Sequence, residues 1–201
     1  MIGCRPLIDS EIQDLLRALG SNPYAARDQC LVVLGITTGF RISELLSLKI
    51  RDLSIGGVLN SHVRIPASRM KGKRRPRAAV LADFARPFVD AWIEDLKSSG
   101  VDGGNQPFFR GRKNGAAISR VQAYRIIVEA LNRCDVFGSP GELGTHCLRK
   151  TFAAKMWVAH DQNIWKVQNA LGHASPASTV AYLSFEDSEQ AQAVSTAFPS
   201  A

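Results

Sequence analysis

The sequence predicts an α+β domain, mainly helical, with one small antiparallel sheet near its first third. Three observations carry that reading. Apolar residues recur at helical spacing over most of the 201 residues. The period changes to short strand-like runs only between about residues 56 and 81. Hydrophobic content of 45% is ordinary for a soluble chain, and the length suits one large domain or two small ones.

Residues 6–20 read as a first helix, with Ser10 and Gln13 as a capping box and Ile12, Leu15, Leu16 and Leu19 as its apolar face. Residues 24–38 read as a second, largely buried helix closed by Gly39. Arg41 then opens a short amphipathic helix to Leu48. Ile42, Leu45, Leu46 and Leu48 point inward, and Arg41 and Glu44 occupy the opposite polar side. Gly56-Gly57, Val58, Leu59, Val63, Ile65 and residues 78–81 give two or three short antiparallel strands. Residues 83–97 return to helix, 99–106 form a Gly-rich loop, and Asn114-Gly115 marks a turn. Ser119 with Gln122 is a second capping box, opening a helix to about Cys134. After a loop over 137–145, the rest is helical: 145–160, 162–171, 176–183 and a tail from about Asp187.

Net charge is +7 and the isoelectric point about 9.5, which favours a polyanionic partner, most often nucleic acid. Between Arg64 and Arg77 lie Arg69, Lys71, Lys73, Arg74 and Arg75, with no acid among them. No stretch approaches the roughly 20 apolar residues of a membrane span. The start lacks the apolar run of a signal peptide. Cys4, Cys30, Cys134 and Cys147 are widely spaced with no CxxC pair, which argues against a disulfide framework or zinc site and for a reducing cytoplasm.

Six polar residues fit one chemistry, attack on a phosphodiester by a tyrosine hydroxyl. A tyrosine with a pKa near 10 is a poor nucleophile unless its site stabilises the phenolate or removes the proton. Tyr182 is the candidate; the alternative is a half-buried tyrosine that packs by its ring. The extra charge on the non-bridging oxygens calls for guanidiniums, and Arg41 and Arg149 can supply them. Glu44 could hold Arg41 in place or simply pair with it on the surface. His146 lies three residues before Arg149, so both face one side of a helix. His173 follows Gly172 at a helix end, and Lys71 lies in a turn able to reach a groove. His62 and His160 read as structural. The pair His146-Cys147 does not make a phosphatase loop, because Arg149 is only two residues from Cys147. No Asp, Glu and His cluster has metal-ligand spacing, so neither metal nor cofactor is expected.

These pieces together resemble the catalytic domain of the tyrosine recombinases, the phage-integrase family. The matching motifs are Thr-Gly-Phe-Arg-Ile-Ser-Glu-Leu around Arg41, Lys-Gly at Lys71, His-x-x-Arg from His146 to Arg149, Leu-Gly-His at His173, and Tyr182 nine residues on. The resemblance implies that Tyr182 attacks the scissile phosphate, leaving a 3′-phosphotyrosine and a free 5′-hydroxyl. Arg41, Arg149 and His173 would then bind the phosphorane oxygens, with Lys71 as general acid and His146 as general base. Arg69, Lys73, Arg74, Arg75 and Arg120 are candidate DNA contacts.

The implied partners are double-stranded DNA, a homotetramer on synapsed DNA joined through the C-terminal tail, and accessory DNA-bending proteins. Most members carry an N-terminal clamp domain. Here the pattern starts near Met1, so the expectation is a single catalytic domain over 1–201, with a core over about 7–185 and a tail over 186–201: either a small single-domain recombinase, as the fimbrial-switch invertases resemble, or a fragment of a longer chain. A non-catalytic DNA-binding module and a type IB topoisomerase are the alternatives.

Overall fold

The computed structural model describes residues 4–69, 76–111, 115–136, 138, 142–173, 176–180 and 183. Lys71, Lys73, Arg74, Arg75, Tyr182 and the expected tail helix lie outside the described residues.

Two helices at the start form as their patterns require. In α1 (Asp9–Leu19), Ile12, Leu15, Leu16 and Leu19 are buried. The cap differs from expectation. The helix begins before Ser10, and Glu11, not Gln13, reaches back to accept the Ile8 N–H at 3.0 Å. Arg5 fixes that carboxylate with donors at 2.8 and 2.5 Å, which settles the register of the first turn. Next, α2 (Ala25–Thr38) is buried along most of its length, through Cys30, Leu31, Val32, Val33, Leu34 and Ile36, and ends at Gly39 with φ 59°.

The segment after Gly39 departs from a single helix over 41–48. It folds as two four-residue turns, α3 (Ile42–Leu45) and α4 (Ile50–Leu53). Each is opened by a carboxylate that accepts a backbone N–H: Glu44 from Arg41 at 2.8 Å and Asp52 from Lys49 at 2.8 Å. The Ser47 hydroxyl donates to the Glu44 carbonyl at 2.7 Å, in the turn where α3 stops.

Among the described residues four strands follow, and they form two separate two-stranded antiparallel sheets where the pattern suggested one. The hairpin β1 (Ser54–Ile55) and β2 (Val58–Leu59) turns through Gly56-Gly57, with φ 59° and 83°. Two consecutive positive φ values fit a tight primed turn. Strands β3 (His62–Ile65) and β4 (Arg77–Val80) pair antiparallel, with Val63 opposite Ala79 and Ile65 opposite Arg77. Val63 and Ile65 face the core, so Arg77 also points inward.

The remaining elements are helices. A 3₁₀ turn at Asp83–Ala85 leads into α5 (Arg86–Ser98), with Val89, Trp92, Ile93 and Leu96 inward. The expected Ser119–Gln122 box caps α6 (Arg120–Arg133), its two bonds at 3.2 and 2.8 Å. Then come α7 (Thr145–Ala159), α8 (Ile164–Leu171) and α9 (Pro176–Val180). α8 starts two residues later than its pattern suggests, because Asp161 and Gln162 take positive φ and Asn163 caps the helix. The main core joins α1 to α6 and the start of α7. A second, smaller cluster holds Phe152, Ala153, Val167, Leu171 and Leu183. Among the described residues no helix is long and apolar enough to cross a membrane.

Gly39 and Gly56 share φ 59° but not surroundings. A Cβ on Gly39 would lie 2.8 Å from Phe152 Cγ and Cε1, whereas one on Gly56 would meet nothing within 4 Å. Gly56→Ala should therefore cost about 1 kcal/mol of left-handed strain. Gly39→Ala adds overpacking and should cost roughly 3 kcal/mol in urea denaturation. Equal losses would refute the Phe152 contact.

Candidate functional site

The site forms where the ends of α2 and α8 meet the start of α7. A helix leaves its last carbonyls without intrahelical donors, and its C-terminus carries partial negative charge. Here two arginines supply the donors. Arg149, on α7, donates from Nη1 to the Gly39 carbonyl and from Nη2 to the Leu171 carbonyl, the latter at 2.8 Å. Arg77, on β4, donates from Nη1 to Gly39 at 3.2 Å, and from Nη2 to Thr38 at 3.2 Å and Ala170 at 3.0 Å. Arg149 is 1% exposed and Arg77 9%. Such burial is tolerable only because these donors are met.

Glu44 supplies the balancing charge. It is 2% exposed, so the expectation that it lies on a solvated face of an amphipathic helix is corrected. With only four helical residues, α3 has no full polar face. Glu44 Oε1 accepts from Arg41 Nη1 at 3.0 Å, and Oε2 accepts from the Arg41 N–H at 2.8 Å and from Arg77 Nη1 at 3.1 Å. Glu44 thus orients Arg41, whose side chain keeps 41% of its surface accessible.

Two histidines complete the described cluster. His146 is exposed on the first turn of α7, one turn from Arg149. Its pKa is lowered by partial burial and by Arg149, Arg41 and Lys150. His173 follows Gly172, which ends α8 in the left-handed conformation. Its Nδ1 is 2.9 Å from the Thr179 hydroxyl, and its backbone N–H donates to the Gln168 carbonyl at 3.1 Å. Burial, then Arg149, Arg41 and Arg77, hold its pKa at about 4, so the ring is neutral near pH 7. If Nδ1 accepts from Thr179, the proton sits on Nε2 and that edge is a donor.

The structure therefore brings Arg41, Glu44, His146, Arg149 and His173 into one electropositive cluster. Arg69 sits elsewhere, its fork on Asp52 at 2.6 and 3.0 Å and on the Ser47 carbonyl at 2.7 Å. Arg120 is exposed at the start of α6, near the exposed Val121 and Tyr124. Sequence reasoning missed Arg77 and Thr179. The signal for Arg77 was its strand parity: it alternates with Ala79 on the face that pairs with Val63 and Ile65. Cys147 is buried, as expected, with its thiol on the Glu142 carbonyl at 3.1 Å.

The low His173 pKa has a stability consequence. As pH falls below about 6.5, the unfolded chain takes up the imidazole proton before the folded one does, so folding stability is lost down to about pH 4. His173→Gln should remove roughly 2 kcal/mol of that acid-dependent loss, read from urea midpoints at pH 7 and pH 4. An unchanged pH slope would contradict the buried neutral imidazole.

Similar proteins are known at the level of family and of fold. The model of the phage integrase family matches residues 6–189. The "Probable integrase/recombinase YoeC" of Bacillus subtilis (strain 168) is 30% identical over 80% of this chain and 79% of its own. The type 1 fimbriae regulatory protein FimE of Escherichia coli (strain K12) is 30% identical over 89% of this chain and 84% of its own. The fold matches XerH site-specific recombinase, solved bound to its palindromic difH substrate, with TM-score 0.74 at 24% identity over 97% of this chain. The chain spans 53% of that XerH chain. With the family pattern running from residue 6 to 189 through the clustered arginines and histidines, the chain belongs to the phage integrase family, the tyrosine-type site-specific recombinases.

Proposed function

We propose that this chain binds double-stranded DNA and breaks and rejoins its strands through a 3′-phosphotyrosine at Tyr182. The observation that carries this reading is the clustering of two guanidiniums, Arg41 held by Glu44 and Arg149 held by the Gly39 and Leu171 carbonyls, with two imidazoles, His146 and His173, whose pKa values are lowered by burial and by those arginines. Attack of the Tyr182 oxygen on phosphorus makes a pentavalent transition state with added charge on the non-bridging oxygens. Arg41, Arg149 and the Nε2–H of His173 are suited to meet that charge. His146, its pKa lowered, is the base that takes the phenol proton, and Lys71 is the acid that protonates the departing 5′-oxygen. One phosphoester forms as one breaks, so the strand can be rejoined by reversal with no external energy source.

Two neighbours of the undescribed groups support the assignment. Leu183, next after Tyr182, is buried in the cluster with Val167 and Leu171 of α8. Arg77 and Ile65 close the base of the β3–β4 connection that contains Lys71. Duplex contact falls to the exposed Arg120, Val121, Tyr124 and Arg125 on one face of α6, and to Lys73, Arg74 and Arg75. Arg69 contributes by holding Asp52 and the Ser47 carbonyl. Assembly as a tetramer on synapsed DNA through residues 186–201, helped by DNA-bending proteins, completes the proposal.

A nicked suicide duplex tests it. Wild-type protein should trap a covalent adduct that maps to Tyr182, and Tyr182→Phe should trap none. Arg149→Lys should slow trapping by roughly 10²-fold, because an ammonium cannot hold both carbonyls and a phosphate oxygen. An adduct from Tyr182→Phe as strong as wild type would exclude this nucleophile. DNA binding without any adduct would make the chain a binding module.

A further inference from the structure

We propose that Arg77 is a positioning residue for strand cleavage: its single guanidinium fixes the separation of the three phosphate-facing groups Arg41, Arg149 and His173. The inference rests on the cleavage reading above and adds a residue to it.

Arg77 touches the support of each of the three. It bonds Glu44, whose other oxygen holds Arg41. It shares the Gly39 carbonyl with Arg149. It bonds the Ala170 carbonyl, next to the Leu171 carbonyl that Arg149 holds, three residues before His173. Its stem runs along Gly172, where a Cβ would lie 3.3 Å from Arg77 Cδ and Nε. Its guanidinium sits over the Phe40 ring at 4.7 Å. Four acceptors on three elements, plus a ring face, match a rigid planar fork; a lysine ammonium has neither the plane nor the reach. An apolar side chain at this position would leave the Glu44 oxygen and three carbonyls without this donor, so Arg77→Lys, which keeps the charge and loses the fork, is the variant that isolates positioning. Burial and the nearby Arg149 pull its own pKa down to about 10, which leaves it charged near pH 7.

The test uses the full chain carrying Arg77→Lys or Arg77→Met, with three readouts: single-turnover adduct formation on the suicide duplex, DNA affinity, and the NMR titration of His173. The charged groups facing that ring are Arg149 of α7, Arg41 ahead of α3, Glu44 of α3 and Arg77 of β4. Arg77→Lys keeps the charge but loses the fork. It should cut the adduct rate by about tenfold or more while DNA affinity stays within about twofold and the His173 titration is unchanged. Arg77→Met should also raise the His173 pKa, because a nearby positive charge is gone. Arg77→Lys cleaving within about twofold of wild type would overturn the inference. So would a loss of DNA affinity equal to the loss of rate, because that marks a binding or folding defect. A wild type that forms no adduct overturns the cleavage reading itself, a result distinct from an active wild type with an equally active Arg77→Lys.

Discussion

Everything in this site depends on placing guanidiniums at the carbonyl ends of two helices. The Arg149 and Arg77 guanidiniums are almost wholly out of solvent, an arrangement that is unfavourable unless each charge finds fixed partners. The partners are backbone carbonyls at the ends of α2 and α8 and one buried carboxylate, Glu44. Both helices end in a left-handed glycine, Gly39 and Gly172, which turns the chain away and leaves those carbonyls pointing at the arginines. Phe152 packs against the space a Gly39 side chain would fill, so the main core and the second cluster meet at the same corner.

The charge balance of that corner suits its ligand. Arg41, Arg77 and Arg149 stand against Glu44 and the two partial negative charges of the helix ends, leaving a net positive charge on the order of one unit. A phosphodiester brings one negative charge, and the pentavalent state of the proposed reaction brings about one more. The histidines bring ring nitrogens without added charge on this proposal, since burial first and then the neighbouring arginines lower both imidazole pKa values.

The sequence made some of this legible and hid the rest for physical reasons. Arg41, Glu44, His146, Arg149 and His173 stand in short motifs whose spacing survives folding, because each lies within one turn of a helix end. The helix faces of α1 and the cap of α6 were equally readable. Glu44 was misplaced to a solvated face because α3 is a single turn, too short for periodicity to define an inside. Arg77 was lost among seven basic residues; only the pairing of Ile65 with Arg77 assigns it to the core side. Thr179 lies in the five-residue α9, where no apolar pattern marks its inward direction, yet it is fully buried against His173. The motifs carry the groups assigned to the substrate in the proposed reaction. The groups that hold them in place are set by register and by chain reversal, which have no short signature.

On the proposed reaction, which must run both ways, the value of holding groups built largely from backbone is that their positions and charge stay fixed. In that proposal cleavage and rejoining pass through the same pentavalent arrangement, so the donors have to be equally placed whether the phosphate is bound to DNA or to the nucleophile. Backbone carbonyls do not titrate, and arginine does not lose its proton in the working range. Tying Arg149 to the Gly39 and Leu171 carbonyls, and Arg41 to a carboxylate with three donors, gives a positive frame whose charge is constant over the cycle. His146, the base on this reading, then sits outside that frame, exposed on the first turn of α7.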